Sequence, residues 1–362
     1  MRVVVAMSGG VDSSTVAGLL CEAGHEVIGL AMKTHAAAPG QNRACCTPDD
    51  LRDARRVADH LGIRFFVLNY EELFRDEVIV PFARAYAEGR TPNPCVACND
   101  RVKFRTLLAR AELLGGERLA TGHYARVSEV AGSPVLERGV DPHKDQSYFL
   151  YRLGREQLAR VLFPVGGMTK AEVREHARRL GLPVAEKSES QEICFVGAGG
   201  YAATVEQLSG RPAAGPIVNG AGEVVGHHDG VHHFTLGQRR GLRIAAPEPL
   251  FVTDIDPARS VVRVGPRAEL ACDEIDVEEV TWTAAPPRPD EPVLVQQRYR
   301  EHARPARVEV VEPGRARVRF DEPAPRGAPG QAAVVYAGAR VLGGGTIARS
   351  ADRHDAAPQA QA

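Results

Sequence analysis

The stretch that most constrains this chain lies at its start, where an apolar run leads into two glycines and then into a helical pattern. Residues 3–14 read VVVAMSGGVDSS. A short apolar run bounded by Gly-Gly is typical of a buried parallel strand. Apolar residues then recur at helical spacing from Val16 to Leu20, which predicts a helix directly after the turn. This order of strand, tight turn and helix predicts an α/β fold with a binding site at the turn.

The turn itself has the features of an anion site. Gly9 and Gly10 let the backbone approach an anion closely, and the first-turn amides of the next helix point at the same place. The turn lacks the lysine of G-x-x-x-x-G-K-[ST] and the spacing of G-x-G-x-x-G, so it is neither a Walker loop nor a dinucleotide fingerprint. It resembles the S-G-G-x-D-S loop of the ATP-pyrophosphatases. Those enzymes cleave ATP between the α and β phosphates while they activate a carbonyl oxygen as an adenylate.

Strand and helix patterns alternate through the first half of the chain. Strands are expected at Glu26–Ala31 and Phe65–Leu68, with a helix between them capped by Asp49 or Asp50. Another helix is expected to start at Glu71. This alternation predicts a Rossmann-like parallel sheet covered on both faces, with ligands bound at the carboxyl ends of its strands.

The second half has a different pattern. Residues 197–265 are rich in glycine with short apolar runs, which predicts a small, mostly β domain. After the proline-rich linker Ala284–Pro292, alternating segments such as Val293–Gln297 and Ala332–Tyr336 predict a small antiparallel β-barrel. The predicted domains are a catalytic α/β domain over residues 1–196, a central β-rich domain over 197–273, a C-terminal barrel over 274–348 and a disordered tail over 349–362.

Composition bounds the class of protein. The 362 residues are 44% hydrophobic and 25% charged, as in ordinary soluble globular proteins, and exceed the usual size of a single domain. No stretch approaches the length of a membrane span or a signal-peptide core, so a cytoplasmic protein without a membrane partner is expected. With a formal net charge of −1, any nucleic acid must be held by local basic patches.

The seven cysteines point to thiols with chemical or packing roles rather than to a disulfide framework, because the chain shows no export signal. Cys98 follows Asn93-Pro94-Cys95 and is expected near a helix N-terminus, beside Arg101 and Lys103, which would lower the pKa of its thiol. A zinc site built from Cys95, Cys98 and the Cys45-Cys46 pair is an alternative. It is disfavoured because adjacent cysteines do not easily span a tetrahedral face and no second C-x-x-C occurs.

Three further stretches carry candidate binding residues, the first at the presumed ATP edge of the sheet and the other two for nucleic acid. Leu119–Arg126 predicts a strand that ends in a Gly-His turn, and residues 141–150 mix charged with aromatic side chains. The latter pattern fits either a solvated turn or a surface that contacts RNA phosphates and riboses. Arg315, Arg317 and Arg319 share one strand face by period two, which fits either a phosphate-binding stripe or a solvated barrel face.

Seven motifs in the same order give the chain a specific resemblance. It resembles the tRNA-specific 2-thiouridylases, a family of ATP-pyrophosphatases that replace the C2 oxygen of the wobble uridine with sulfur. The motifs are Ala6-Met7-Ser8-Gly9-Gly10-Val11-Asp12-Ser13, Cys45-Cys46, Asn93-Pro94-Cys95-x-x-Cys98-Asn99, Thr121-Gly122-His123-Tyr124-Ala125-Arg126, Lys144-Asp145-Gln146-Ser147-Tyr148, Ser190-Gln191-Glu192-Ile193-Cys194-Phe195 and Thr235–Leu242.

The resemblance implies roles for individual residues. Cys98 matches the catalytic nucleophile, and Cys194 matches the cysteine that carries the transferable sulfur as a persulfide. The nucleotide site is implied at Ala6, Met7, Ser8, Gly9, Gly10, Val11, Asp12, Ser13, Met32 and Gly122. Contacts with tRNA are implied at Asn93, Pro94, Cys95, His123, Lys144, Asp145, Gln146, Arg298, Tyr299 and Gln331. Some family members have another residue in place of Cys95, so Cys95 is not expected to be essential to the chemistry.

The resemblance also implies ATP, Mg²⁺ and two partners. Magnesium shared with the ATP phosphates would neutralise developing charge, and Asp12 is the loop residue best placed to hold it. The partners are tRNA and a sulfur donor such as a cysteine desulfurase or a persulfide carrier. Whether the Cys194 persulfide attacks C2 directly or Cys98 first releases sulfide is open at this point, and Cys45, Cys46 and Cys272 receive no role.

Two other functions compete with this one. An ATP-pyrophosphatase acting on a small molecule, or another adenylating tRNA-modifying enzyme, would explain the loop but would leave Cys98 and Cys194 without purpose. A non-catalytic RNA-binding or redox-sensing protein would use Cys95 and Cys98 but would have no need of a pyrophosphate loop.

Overall fold

The computed structural model describes residues 1–35, 47–188, 193–197 and 199–349. Cys45, Cys46, Ser190, Gln191 and Glu192 lie outside these ranges, as does almost all of the tail predicted to be disordered. The α-helices are α1 (Val11–Glu22), α2 (Pro48–Leu61), α3 (Glu71–Phe74), α4 (Val80–Ala87), α5 (Pro94–Ala97), α6 (Arg105–Leu113), α7 (Arg155–Leu158), α8 (Lys170–Arg179) and α9 (Gly200–Ser209). The strands are β1 (Arg2–Ala6), β2 (Glu26–Lys33), β3 (Arg64–Asn69), β4 (Arg118–Thr121), β5 (Ala125–Val130), β6 (Ser133–Arg138), β7 (Val161–Leu162), β8 (Gly215–Val218), β9 (Val224–His228), β10 (Phe251–Asp256), β11 (Val261–Gly265), β12 (Ala271–Trp282), β13 (Val293–Gln296), β14 (Arg304–Glu312), β15 (Arg315–Pro325), β16 (Ala332–Ala337) and β17 (Arg340–Ile347).

The N-terminal half forms a parallel sheet in the order β3-β2-β1-β4-β7. β1 is central because Val3, Val4 and Val5 are fully buried and face cores on both sides of the sheet. Ala6, at the end of β1, pairs with Leu30 of β2 and Thr121 of β4. The carboxyl ends of these three strands therefore meet at one edge, which confirms the predicted α/β class.

Local capping explains where the helices begin. The predicted cap of α2 at Asp49 or Asp50 is wrong, because the N-cap is Thr47. Its hydroxyl accepts from the Asp50 amide while the Asp50 carboxylate accepts from the Thr47 amide, with Pro48 in the first turn. The same reciprocal box forms at α8 between Thr169 and Glu172, a residue pair with the types and spacing of a capping box.

Two π-helical segments interrupt the helical regions that pack into the core on one face of the parallel sheet. Arg75–Ile79 joins α3 to α4, and Cys98–Phe104 joins α5 to α6. The second segment begins at the predicted nucleophile. Wide helical turns of this kind occur often at functional sites.

The middle of the chain folds as the predicted small β-rich unit. Its sheet has the order β10-β11-β8-β9, and Val231, Val252, Val262 and Val264 lie in its core. Helix α9 precedes this sheet and contributes Glu206, whose carboxylate pairs with the buried His232 at 3.1 Å.

The C-terminal strands close into a six-stranded antiparallel barrel. The order is β12-β15-β14-β13-β16-β17, and β17 pairs back with β12. The β5–β6 hairpin extends this sheet through the pairing of Arg340 with Glu137, although it lies within the predicted first domain. The stretch 119–126, predicted as one strand, is therefore split between β4 of the parallel sheet and β5 of the barrel sheet.

The arginines of β15 do not form an uncompensated cationic stripe. Arg317 pairs with Asp276 at 2.9 Å, and Arg319 pairs with Glu274 at 3.5 Å and Glu309 at 3.4 Å. Arg315 pairs with Glu312 at 3.4 Å. Neighbouring strands place carboxylates opposite these guanidinium groups, so the pattern belongs to a solvated barrel face with cross-strand ion pairs.

Candidate active site and RNA-binding face

The turn between β1 and α1 has the shape of an anion cradle. Gly10 is the N-cap of α1 and has no side chain to occupy the first helical amides. The Ser8 and Ser13 hydroxyls lie 3.2 Å apart, and the Ser13 hydroxyl also accepts from the Ser8 amide. The Ser14 hydroxyl instead donates to the Gly10 carbonyl at 2.8 Å and is fully buried. The first-turn amides and Ser8, which is exposed, therefore remain as donors for a phosphate group.

Lys187, which sequence patterns did not single out, stabilises this turn through three hydrogen bonds. The Lys187 ammonium donates to the Gly9 carbonyl at 3.0 Å, to Asp50 at 2.7 Å and to Asp53 at 2.6 Å. Burial alone would lower the pKa of Lys187, but the two carboxylates raise it. Gly9 has φ +74°, and a Cβ there would lie 2.0 Å from the Asp50 carbonyl oxygen, so the turn and the start of α2 pack with no space for a side chain.

Asp12 is the acidic residue of the turn, and it is already engaged. One carboxylate oxygen, Oδ1, accepts from the Tyr124 hydroxyl at 2.7 Å and from the Lys170 ammonium at 2.6 Å. Lys170 is mostly buried, with 13% of its side chain exposed. Its amide donates to the Asp141 carboxylate at 3.0 Å, which fixes the start of α8 beside the turn. A positive charge is thus built in next to the anion cradle.

The donor chemistry at Asp12 fits a magnesium ion shared with ATP. Oδ1 is held by Lys170 and Tyr124, which leaves Oδ2 of Asp12 as the hard oxygen that an ion could take. Mg²⁺ commonly binds through one carboxylate together with substrate phosphates and waters. One oxygen from Asp12 satisfies that pattern.

The other predicted nucleotide-site residues lie at the same sheet edge. Met32 is near the end of β2, and Gly122 directly follows β4. A Cβ on Gly122 would lie 2.8 Å from the Ser13 amide nitrogen and 3.0 Å from Asp12, so only glycine allows β4 to approach α1 this closely. The predicted set from Ala6 to Ser13, Met32 and Gly122 is therefore brought together by the parallel register.

The predicted nucleophile lies one turn inside a helix, rather than at its first residue. Asn93 is the N-cap of α5, and its side-chain oxygen accepts from the Cys95 amide at 3.1 Å and the Val96 amide at 3.4 Å. Pro94 is buried in the first turn, Cys95 is exposed, and Cys98 is 8% exposed. Asn93 thus shapes the segment, while Cys95 is its most accessible thiol.

Cys194 contacts the same hydrophobic core as Cys98. Cys98 belongs to the core on one face of the parallel sheet, and Cys194 packs against that core. The neighbouring Phe195 is anchored by Phe74 and Phe82, with ring centroids 5.9 Å and 5.1 Å away. Burial lowers the pKa of His35, against the opposing effect of its hydrogen bond with the Cys194 backbone. The two predicted thiols, 96 positions apart in the chain, are thus placed on one core.

Several residues predicted to contact tRNA have internal partners. The Asp145 carboxylate accepts from Arg138 at 2.8 Å and from the Gly139 and Ser147 amides at 3.0 Å each. The Gln146 side-chain oxygen accepts from the Tyr124 amide at 3.0 Å, so this turn reaches the residue that holds Asp12. Lys144 is half-buried in the same turn.

His123 lies in an aromatic setting. Its ring is 5.7 Å from that of Phe104 and 6.0 Å from that of Phe163, and Nδ1 lies 2.7 Å from the Thr121 hydroxyl. Burial, together with the charge of Lys103, lowers the pKa of His123 to about 3. The imidazole is therefore neutral at physiological pH.

The predicted contacts from the barrel point back to the other domains. The Arg298 guanidinium donates to the Leu236 carbonyl at 3.3 Å, and the Tyr299 ring lies 4.4 Å from that of Phe149. The Gln331 amide donates to the Thr91 carbonyl at 2.8 Å. All three side chains are therefore engaged in contacts between domains.

Three family models match successive parts of the chain. They are described as the tRNA methyl transferase HUP domain over residues 1–198, the tRNA methyl transferase PRC-barrel domain over 205–266 and the Aminomethyltransferase beta-barrel domain over 272–347. Similar relatives are called tRNA-specific 2-thiouridylase MnmA. The one from Geobacter metallireducens is 52% identical over 355 residues, covering 96% of each chain. The one from Rhodospirillum rubrum is 51% identical over 364 residues, also covering 96% of each chain.

The chain belongs to the tRNA-specific 2-thiouridylase family. The resemblance inferred from its motifs is thereby confirmed, since the matches extend over nearly the whole chain. The roles of individual residues in this 2-thiouridylase chain stay predictions. Within the part of the chain that the structure describes, no helix has the length and apolar character needed to cross a membrane.

Motifs missed three residues of this site. Tyr124 lies in a quoted motif but received no role, and Lys170 and Lys187 lie outside the quoted motifs. A lysine in the first turn of a capped helix, as at Lys170, is an electrostatic oddity because positive charge is disfavoured at a helix N-terminus. That conflict is a signal that could have marked Lys170 as functional.

Proposed function

We infer that this protein uses ATP to replace the C2 oxygen of the wobble uridine of tRNA with sulfur. Family membership supports the inference, and the observation that carries it is the pairing of an anion cradle at the sheet edge with two cysteines on one adjoining core. The cradle alone would fit any adenylating enzyme. The two cysteines fit a reaction that moves sulfur.

The first step is adenylation. The uridine is extruded from the anticodon loop so that its C2 oxygen reaches ATP. That oxygen attacks the α-phosphorus, the bond to the β-phosphate breaks, and pyrophosphate leaves toward the α1 amides and Ser8. Lys170 supplies positive charge beside the departing group, and Asp12 would hold a magnesium ion that neutralises the phosphate charge.

The second step is sulfur transfer. The terminal sulfur of a Cys194 persulfide attacks C2 and AMP leaves, after which Cys98 attacks the Cys194 sulfur and releases 2-thiouridine. Alternatively, Cys98 first attacks the persulfide and the released sulfide attacks C2. Both routes consume one persulfide and end with AMP and a Cys98–Cys194 disulfide, which a dithiol reductant must reduce before the next turnover.

Two macromolecular partners follow from this chemistry. One is tRNA, approached by the faces that carry Lys144, Arg298 and Tyr299. The other is a persulfide donor, such as a cysteine desulfurase or a persulfide carrier, which must load Cys194. A cytoplasmic location is proposed because tRNA and a reducing dithiol pool occur together there.

The test incubates the purified protein with Mg-ATP, unmodified tRNA and a persulfide donor, and measures nucleosides by mass spectrometry. The expected products are AMP, pyrophosphate and 2-thiouridine at the wobble position. A matched tRNA with cytidine at that position should give none. Cleavage of ATP without 2-thiouridine from any tRNA would overturn the inference and favour an ATP-pyrophosphatase with a small-molecule substrate.

A further inference from the structure

Thr91, in the catalytic domain, contacts both of the other domains. Its amide donates to the Pro329 carbonyl at 2.7 Å, and its carbonyl accepts from the Gln331 side chain at 2.8 Å. Its hydroxyl lies 3.4 Å from the hydroxyl of Thr235 in the central domain. We call Thr91, Thr235, Pro329, Gly330 and Gln331 the Thr91 clamp.

The clamp is steric as well as hydrogen-bonded. Gly330 has φ +93°, and a Cβ there would lie 3.1 Å from both the carbonyl carbon and the amide nitrogen of Thr91. The turn that carries Gly330 is fixed to the barrel, because its amide donates to the Ile347 carbonyl at 2.9 Å and the Ile347 amide donates to the Gln331 carbonyl at 2.8 Å. The barrel therefore presents a rigid surface to the Thr91 backbone.

A second set of hydrogen bonds fixes the chain just before Thr91. The Arg349 guanidinium donates to the Glu88 carbonyl at 2.7 Å and to the Ile255 carbonyl at 3.3 Å. One side chain at the end of the barrel thus joins the catalytic domain to the central domain. Hydrogen bonds from Arg349 to Glu88 and from Gln331 to Thr91 therefore fix both ends of the segment 88–91.

The held segment leads directly into the candidate nucleophile. Thr91 precedes the N-cap Asn93 by two residues, and Asn93 organises the turn from Cys95 toward Cys98. The backbone between Thr91 and Asn93 contains Pro92, which restricts its freedom further. A displacement at Thr91 is therefore passed along a short, stiff connection to the Cys98 helix.

We propose that the Thr91 clamp positions the Cys98 segment for sulfur transfer, so that the C-terminal barrel acts on the chemical step and not only on RNA affinity. Gln331 then acts as a positioning residue through Thr91, whatever contact it also makes with tRNA. The expected effect on sulfur transfer rests on the proposed function, whereas the effect of the clamp on the structure of the Cys98 segment does not. A misplacement of the order of 1 Å can lower a reaction rate by about a hundredfold.

The test compares Gly330→Ala with Gly338→Ala. Both glycines have positive φ and lie in barrel turns, but a Cβ on Gly338 would meet nothing within 4 Å. Both variants share the cost of alanine at positive φ, and only Gly330→Ala pushes on Thr91. We expect Gly330→Ala to lower kcat for 2-thiouridine formation about tenfold or more, with Kd for tRNA within twofold of that of Gly338→Ala.

A second variant, Gln331→Leu, keeps the proposal testable if Gly330→Ala does not fold. It removes the hydrogen-bond donor to Thr91 without straining the backbone. The clamp predicts a lower kcat whether or not KM for tRNA also changes, whereas an RNA contact without a clamp predicts a higher KM at unchanged kcat. That second outcome, or equal kcat for Gly330→Ala and Gly338→Ala, would overturn the proposal.

Measurements that do not depend on catalytic turnover test the clamp separately from the proposed function. Hydrogen exchange over residues 88–98 and the alkylation rate of Cys98, followed by peptide mass spectrometry, should change in Gly330→Ala and not in Gly338→Ala. If the unaltered protein makes no 2-thiouridine, the proposed function fails while these measurements still decide the clamp. Unchanged exchange and alkylation in Gly330→Ala would refute the clamp.

Discussion

Lys187→Met is expected to loosen the ATP-binding turn. The ammonium of Lys187 joins the Gly9 carbonyl to the Asp50 and Asp53 carboxylates. Methionine keeps most of the side-chain volume but removes the charge and all three donated hydrogen bonds. The two carboxylates would then face each other without a cation between them.

The magnitude follows from the burial of the group. The Lys187 side chain is 27% exposed, and its partners Asp50 and Asp53 are 13% and 23% exposed. A hydrogen bond to a charged group contributes about 1.5–3 kcal/mol, and removal of one partner from a buried pair costs about 3–5 kcal/mol. For this partly buried cluster we expect a loss of about 3 kcal/mol, which corresponds to roughly a hundredfold change in the local opening equilibrium.

Hydrogen exchange in α1 and α2 is the suitable assay, because a three-domain chain does not unfold in one step. Slowly exchanging amides of α2 should exchange about a hundredfold faster in Lys187→Met. The matched control is Arg178→Met, which removes the exposed pair of Arg178 with Glu186 at 2.7 Å. Equal protection of α2 in the two variants would refute the bracing role of Lys187, as would unaltered pyrophosphate release in Lys187→Met.

Further predictions concern the chemistry and its pH dependence. Asp12→Ala should abolish tRNA-dependent AMP formation, and Lys170→Met should lower its rate at least tenfold while tRNA binding is retained; AMP release by both variants at the normal rate would contradict these roles. Cys194→Ser should let adenylated tRNA accumulate when only a persulfide donor is supplied, which chromatography of the tRNA would detect, and full persulfide-dependent turnover would exclude Cys194 as the sulfur carrier. Since the pKa of His123 is lowered to about 3, the unfolded chain binds one more proton than the folded chain between about pH 6.5 and 3. The contribution of His123 should thus leave the surrounding fold most stable above pH 6.5 and cost up to about 1.4 kcal/mol per pH unit as the pH drops through that window. Hydrogen exchange of the amides around His123 should show this slope, and His123→Gln should reduce it.

Most of the fold could be predicted from local sequence patterns. The run from Val3 to Ser8 predicts the central strand and its turn because burial on both faces demands continuous apolar residues. Thr169 and Glu172 predict the start of α8 because a capping box involves residues only three apart. The hairpin β5–β6 escaped this reasoning, since periodicity shows that a segment is a strand but not which sheet it joins.

The turn from Ser8 to Ser13 was readable as an anion site from its own residues. Cys98 and Cys194 received their roles only from the resemblance to the family, and these roles stay predictions although family matching supports the reaction. The same reasoning assigned Asp145 and Gln331 to RNA. In the structure both side chains have protein partners, and their contacts with RNA stay predictions, because a polar residue in a motif can serve a ligand, the fold that holds it, or both.

The sequence by itself determined the α/β class and the anion turn, because both follow from local strand, turn and helix patterns, whereas the two thiols were assigned roles only through the resemblance to the family. Tertiary structure alone decided that Lys170 pairs with Asp12 across 158 positions and that Gln331 reaches Thr91 across 240. It also decided that the arginines of β15 are balanced by carboxylates on neighbouring strands. Such contacts are set by how helices and sheets pack and not by local periodicity, so the charge at the turn and the placement of the Cys98 segment emerge only when the chain is folded.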